Sequence, residues 1–137
     1  MSDEGDRRAA FKRGVHATLD VEVLEAGPDK VVLTLPVDER VHQPYGILHG
    51  GVSALLAESA ASMGGALNAG PDKGVVGIEL NASHLRPVSD GLLTATATPI
   101  RAGRTVQVWS IDLHDERGRQ VCAARCTLAV VDRPTGN

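Results

Sequence analysis

Over residues 18–24, Thr-Leu-Asp-Val-Glu-Val-Leu, the apolar side chains Leu19, Val21 and Val23 alternate with polar neighbours, the period of a half-buried strand. Gly27-Pro-Asp-Lys marks a turn and residues 30–37 read as the returning strand, which predicts an antiparallel hairpin. Residues 7–16, ahead of it, are expected to form a short helix. At residue 50 the period changes. Val52, Leu55, Leu56, Ser59, Met63 and Leu67 recur at helical spacing, which predicts one long helix over 50–68, ended by Gly70-Pro71. Its opposite side carries Gly51, Ala54, Glu58, Ala61, Ser62 and Gly65, small residues that let another surface approach closely. Gly64-Gly65 would cost about 1 kcal/mol each in a free helix, so packing is expected to hold them.

Four β-rich stretches follow, at 75–86, 91–101, 105–114 and 119–132, separated by Ser89-Asp-Gly, Ala102-Gly-Arg and Asp115-Glu-Arg-Gly. Connections this short imply an antiparallel meander. Two strands, a helix and four more strands make an α+β domain in which one curved sheet covers one buried helix. Such a sheet has exposed edges, and pairing them between two copies covers them, so a homo-oligomer is expected.

The chain has 137 residues, enough for one domain with a single core and no cross-links. Only the polar ends, 1–6 and 133–137, are set apart in composition, and they are expected to fray. With 14 Lys and Arg against 17 Asp and Glu there is no basic footprint for nucleic acid, and no apolar run reaches the ~20 residues of a membrane span. The first residues lack the apolar segment of a secretory signal, so a cytoplasmic location is expected. Cys122 and Cys126 lie four apart in a predicted strand, on one face but too distant for easy bridging, and read as reduced core residues. His42, His49, His84 and Glu58 match no zinc spacing, so no metal is expected.

Between Val41 and Pro71 there is no Lys, Arg or Asp, and the only acid is Glu58, in the middle of the long helix. Desolvation of an isolated carboxylate disfavours its charged form and raises its pKa, and such acids gather at functional sites. The same residue also fits a solvated gap in the helix surface. The second feature is Gln43-Pro-Tyr-Gly-Ile-Leu-His49-Gly50-Gly51, which leads into that helix, where the first backbone N–H groups have no intrahelical acceptor. Gly50 can therefore stabilise an oxyanion, or the glycines can serve only a tight entry turn. His49 can be a capping or packing residue. Gly50 and Glu58 are eight residues apart, about 12 Å along one helix, so they cannot flank one carbonyl carbon within one chain. If both act on one substrate, Glu58 must meet Gly50 of a second copy across a two-fold axis.

Together, Gln43-Pro-Tyr-Gly-Ile-Leu-His-Gly-Gly, Leu56-Ala-Glu-Ser and Val76-Gly-Ile-Glu-Leu-Asn-Ala-Ser-His-Leu-Arg resemble the hotdog-fold acyl-CoA thioesterases. The likeness is strongest to the branch with 4-hydroxybenzoyl-CoA, 1,4-dihydroxy-2-naphthoyl-CoA and phenylacetyl-CoA thioesterases, and it covers residues 19–131. The resemblance implies a hotdog fold, a curved six-stranded antiparallel sheet of order 1-2-4-5-6-3 around a central helix, and often a dimer of dimers. By motif position, Glu58 would be nucleophile or general base and the Gly50 N–H would polarise the thioester carbonyl. Gln43 and His49 would position the carbonyl, the attacking water or the leaving thiolate, and Ser62 would orient the carboxylate. The family binds coenzyme A, as part of the substrate and not as a cofactor, near basic residues; the candidates here are His84, Arg86, Arg101, Gly103 and Arg104.

The implied reaction is hydrolysis of an aryl- or medium-chain acyl-CoA to free acid and coenzyme A. A hydratase or dehydratase on the same fold is the enzymic alternative, though those enzymes pair a His with an acid at a different spacing. A noncatalytic acyl-CoA-binding module would keep the groove without needing Glu58. The chain departs from the family in Tyr45 and in having only three aromatic residues, Phe11, Tyr45 and Trp109, which leaves little ring stacking for an aromatic acyl group.

Overall fold

Acidic residues near the start of the chain build its first helix. The Ser2 hydroxyl accepts a hydrogen bond from the Gly5 N–H at 3.0 Å, and Asp3, Glu4 and Asp6 occupy the first turn, where the helix dipole favours negative charge. The result is α1 (Asp3–Ala10), seen in a computed structural model that describes residues 2–134. Gly14 takes a left-handed φ of 64° and interrupts the path before α2 (Gly14–Thr18), so the single helix expected over 7–16 is two, the first starting earlier. The described parts of the expected frayed ends are tied to each other. Arg133 donates to Asp3 at 3.0 Å and to the Pro71 carbonyl at 3.1 Å, whereas positions 1 and 135–137 lie outside the described residues.

The first strand, β1 (Glu22–Ala26), begins later than its alternation suggests, because Thr18 belongs to α2 and Asp20 turns the chain through a φ of 56°. It pairs with β2 (Val31–Pro36) as the expected hairpin. After a turn at Glu39–Val41 come α3 (Gly50–Ala69), β3 (Lys73–His84), β4 (Leu92–Ala102), β5 (Val106–His114) and β6 (Gln120–Asp132). All pairings are antiparallel and the order is β1-β2-β4-β5-β6-β3, as the resemblance implied.

The sheet presses on α3 through a different face from the one the large apolar residues mark. Ser53, Leu56, Ala57, Ala60 and Gly64 are buried beneath it, while Leu55 and Ser59, two members of the helical series, turn to a cavity. The reason is distance. A curved sheet wraps so closely that its nearest approach admits only the smallest side chains: a methyl group on Gly64 would lie 2.5 Å from the Trp109 ring, and one on Gly65 2.5 Å from Leu128. Trp109 is fully buried, and its indole N–H donates to Gln107 at 2.8 Å; Gln107 donates in turn to the Gly65 carbonyl at 3.1 Å. This relay gives the buried Trp109 indole and Gln107 amide their partners. Cys122 and Cys126 are free and buried on the same strand, and burial, helped by nearby Glu58 and Glu79, pushes the Cys126 thiol up to about 12.

The two sheet edges are unlike. β1 is short and carries Glu22 and Glu25, near Lys12 and Lys30 respectively. β3 has twelve residues, pairs only with β6, and exposes Val76 (49%) and Ile78 (61%). Among the described residues no helix is long and apolar enough to cross a membrane.

Candidate active site

α3 carries both ends of the candidate chemistry. At its start His49 is the N-cap, and its Nδ1 accepts the Gly51 N–H at 2.7 Å. The capping reading of His49 therefore holds, and it has a consequence: with Nδ1 accepting, the neutral ring carries its proton on Nε2 and presents that N–H outward from an exposed side chain. The Val52 N–H goes to the His49 carbonyl at 2.9 Å. Among the described residues the Gly50 N–H has no acceptor, which leaves one backbone donor at the positive end of the helix. Gln43 accepts the Tyr45 N–H through its side-chain oxygen, which stiffens the loop before the helix, and Tyr45 itself is 88% exposed.

Two contacts between α3 and β3 explain two glycines. The ring of His84 lies over Gly50, 2.7 Å from where a Cβ would sit, so a side chain at that position would push the ring aside. Further along, the Glu58 carboxylate lies over Gly77, 2.6 Å from the position of a Cβ there. The β3–β6 register slips between Gly77 and Glu79, leaving Ile78 as a bulge beside the carboxylate. Glu58 is exposed in the single chain, so the desolvation expected for it is not supplied by its own fold.

Glu58 and Ser62 line a cavity of about 890 Å³, together with Ala54, Ser59 and Met63 of α3 and with Phe11 and His16 from the N-terminal helices. The cavity wall from residues 6–16 is absent from the sequence reading, because no period or motif links that segment to a helix forty residues later. Gly77 did carry a signal, since a lone glycine inside a strand marks a bulge or a close approach. Of the three aromatic residues, Phe11 alone lines this cavity; Trp109 is core and Tyr45 faces solvent.

The five residues expected at coenzyme A divide into two groups. His84 ends β3 and Arg86 follows it, whereas Arg101, Gly103 and Arg104 form the β4–β5 turn. In that turn the Gly103 N–H donates to the Val106 carbonyl at 3.0 Å. Through β6 the turn is level with Val76, since Val106 and Val76 both pair with Ala129. Val76 is eight residues from His84, so the two groups are about 25 Å apart in one chain. Among the described residues no cluster of three His, Cys, Asp or Glu side chains could hold a metal.

Comparison with known proteins identifies the family and the fold. A 1,4-dihydroxy-2-naphthoyl-CoA hydrolase of Listeria monocytogenes is 48% identical over 117 residues, 85% of this chain and 95% of that protein. A proofreading thioesterase of Cronobacter turicensis, EntH, is 45% identical over 113 residues, 82% of each chain. The crystal structure of a Haemophilus influenzae thioesterase superposes with a TM-score of 0.89 at 42% identity, covering 96% of this chain and 92% of that one. The family profile described as thioesterase superfamily matches residues 45–122, from the loop before α3 into β6. With more than half of its length matched by that profile, the chain belongs to the thioesterase superfamily, on a hotdog fold.

Proposed function

We propose that this protein hydrolyses an acyl-CoA thioester, of aryl or medium-chain type, to the free acid and coenzyme A, in a dimer whose two sites are each built from both chains. The observation that carries the proposal is the pairing of a solvent-facing Glu58 carboxylate, on the wall of a large cavity, with an unused Gly50 N–H at the start of the same helix. The names of the relatives support the substrate class.

A two-fold axis beside the exposed β3 edge would set the Glu58 end of one chain against the Gly50 end of the other. The same rotation would bring Arg101, Gly103 and Arg104 of one copy level with His84 and Arg86 of the second, joining the two basic groups at one coenzyme A. It would also cover Val76 and Ile78 and withdraw Glu58 from water. In such a site the Gly50 N–H and the His49 Nε2–H donate to the thioester oxygen as negative charge develops there, and Gln43 holds the loop that presents them. Glu58, oriented by Ser62, either attacks the carbonyl carbon to give an anhydride or takes a proton from the attacking water; in both routes the C–S bond breaks and coenzyme A leaves as thiolate. Two such dimers would make the tetramer expected from the family. A cytoplasmic setting suits the buried free thiols of Cys122 and Cys126.

The test is complementation between two inactive variants, Glu58→Gln and His49→Ala, refolded together and assayed by release of thiol from benzoyl-CoA. Composite sites predict that mixing restores up to about a quarter of wild-type activity, because half of the dimers are mixed and each has one intact site. Activity confined to single chains would give no recovery.

A further inference from the structure

The cavity beside Glu58 holds a polar feature that thioester hydrolysis leaves unused. His16 of α2 and Ser59 of α3 meet on its wall, with Nε2 2.8 Å from Oγ. The Phe11 ring stacks on the imidazole at 3.9 Å with an angle of 6° between the planes, which fixes the direction of both ring nitrogens. Burial holds the His16 pKa below its ordinary value, so the ring is neutral at neutral pH, with one nitrogen donating and the other accepting. The Ser59 hydroxyl has one proton and two lone pairs, and His16 is its only side-chain partner among the described residues.

The charged residues around the cavity are otherwise engaged or exposed. Arg7 is held by Asp3 and the carbonyls of Gly70 and Lys73, and Arg133 by Asp3 and the Pro71 carbonyl. Asp6 and Arg13 are exposed and opposite in sign. Beside Ser62, which the hydrolase reading assigns to Glu58, this neutral donor and acceptor pair is therefore the half-buried polar function that a bound group would meet.

We propose that His16 and Ser59 form a specificity-determining pair that receives a hydroxyl carried on the acyl group. The proposal rests on the acyl-CoA hydrolase reading above. Ser59 follows Glu58 in α3, about 1.5 Å further along the axis and about 100° round it, so a hydroxyl on a ring attached to a carbonyl at Glu58 comes within reach of the pair. With the His16 proton on Nδ1, the Ser59 hydroxyl donates to Nε2 and its free lone pairs accept the hydroxyl of the substrate. An acyl group without a hydroxyl leaves no orphaned polar atom, because His16 and Ser59 still bond each other. Discrimination is therefore about tenfold, the worth of one added hydrogen bond, and far below that of a site whose polar groups would be stranded.

The experiment measures kcat/KM for benzoyl-CoA and for the three hydroxybenzoyl-CoA isomers by thiol release, in wild type, His16→Phe and Ser59→Ala. Wild type is expected to prefer one hydroxylated isomer about tenfold, and that ratio should fall to about one in either variant. A ratio is insensitive to general damage, and the two variants, on different helices, guard against one failing to fold. A wild-type preference that survives both substitutions, or no preference in wild type, overturns the proposal while leaving the hydrolase reading intact. Failure of wild type to cleave any of the four thioesters overturns the aryl form of the hydrolase reading, and this proposal with it.

Discussion

The carboxylate of Glu58 rests on Gly77: a methyl group at that glycine would come within 2.6 Å of Oε2 and 3.0 Å of Cδ. The obstructed atoms belong to the far end of a flexible side chain, so the fold can accept Gly77→Ala while the carboxylate must move. A displacement near 1 Å at a reacting group costs up to about 100-fold in rate. Gly77→Ala is expected to lower kcat about 10- to 100-fold with little change in melting temperature, as followed by thiol release and thermal unfolding. Unaltered kcat would mean that the position of Glu58 does not matter.

Glu58→Gln keeps the shape of the site and removes its proton acceptor and nucleophile. The chemical step should slow about 1000-fold or more, within the usual range for losing a positioned acid or base together with its charge. Binding of a non-hydrolysable thioether analogue of acyl-CoA, measured by calorimetry, should stay within a few-fold of wild type. Equal turnover in the two proteins would assign Glu58 to the surface rather than to the chemistry.

Gly64→Ala sets two effects of opposite sign against each other. Alanine favours a helix over glycine by about 1 kcal/mol, whereas overpacking a tight core costs about 1–3 kcal/mol. Packing should win here, because Trp109 is fully buried and its indole N–H is held by Gln107, so the ring cannot slide away from 2.5 Å. A lowered urea midpoint is expected, and an unchanged or higher one would show that the sheet can relax away from α3.

The half-buried His16 ring should leave a mark on stability against pH. Its pKa is lowered by burial from the ordinary 6.5, so the folded protein takes up the proton less readily than the unfolded chain. That contribution is complete above pH 6.5 and is lost as the pH falls below it through the lowered folded value. The stability difference between wild type and His16→Phe should therefore shift against wild type between about pH 7 and pH 5 in urea unfolding. Asp6, Arg13 and Glu58 face the same cavity in both proteins and largely cancel in the difference. A flat difference would place the ring in solvent.

How much of this was readable beforehand follows from the range over which each feature is encoded. The β-strands and α3 are written in local periodicity, and Gly27-Pro28 and Gly70-Pro71 punctuate them, so the elements fall within a few residues of expectation. Which face of α3 meets the sheet was not legible, because the apolar period marks a helix without marking the depth of approach, and the closest packing selects Ser53, Ala57, Ala60 and Gly64. The residues of the candidate site could be singled out as candidates, since His49, Gly50 and Glu58 stand at or on one helix in a chemically sparse stretch. Their surroundings were not: the seat of Glu58 on Gly77 and the wall made by Phe11 and His16 depend on tertiary approach, which no local pattern records.

The unlike edges of the sheet carry a consequence for assembly. An edge such as β3, with apolar Val76 and Ile78 exposed, invites pairing, while β1, short and bearing Glu22 and Glu25, discourages it. Were two copies to join edge to edge through β3, the merged sheet would present only its acidic rims, and a third copy would find no apolar edge to extend. The same asymmetry that would seat each Glu58 against a neighbour would then end edge-wise growth at two chains, a safeguard against fibrous stacking built into the order of the strands.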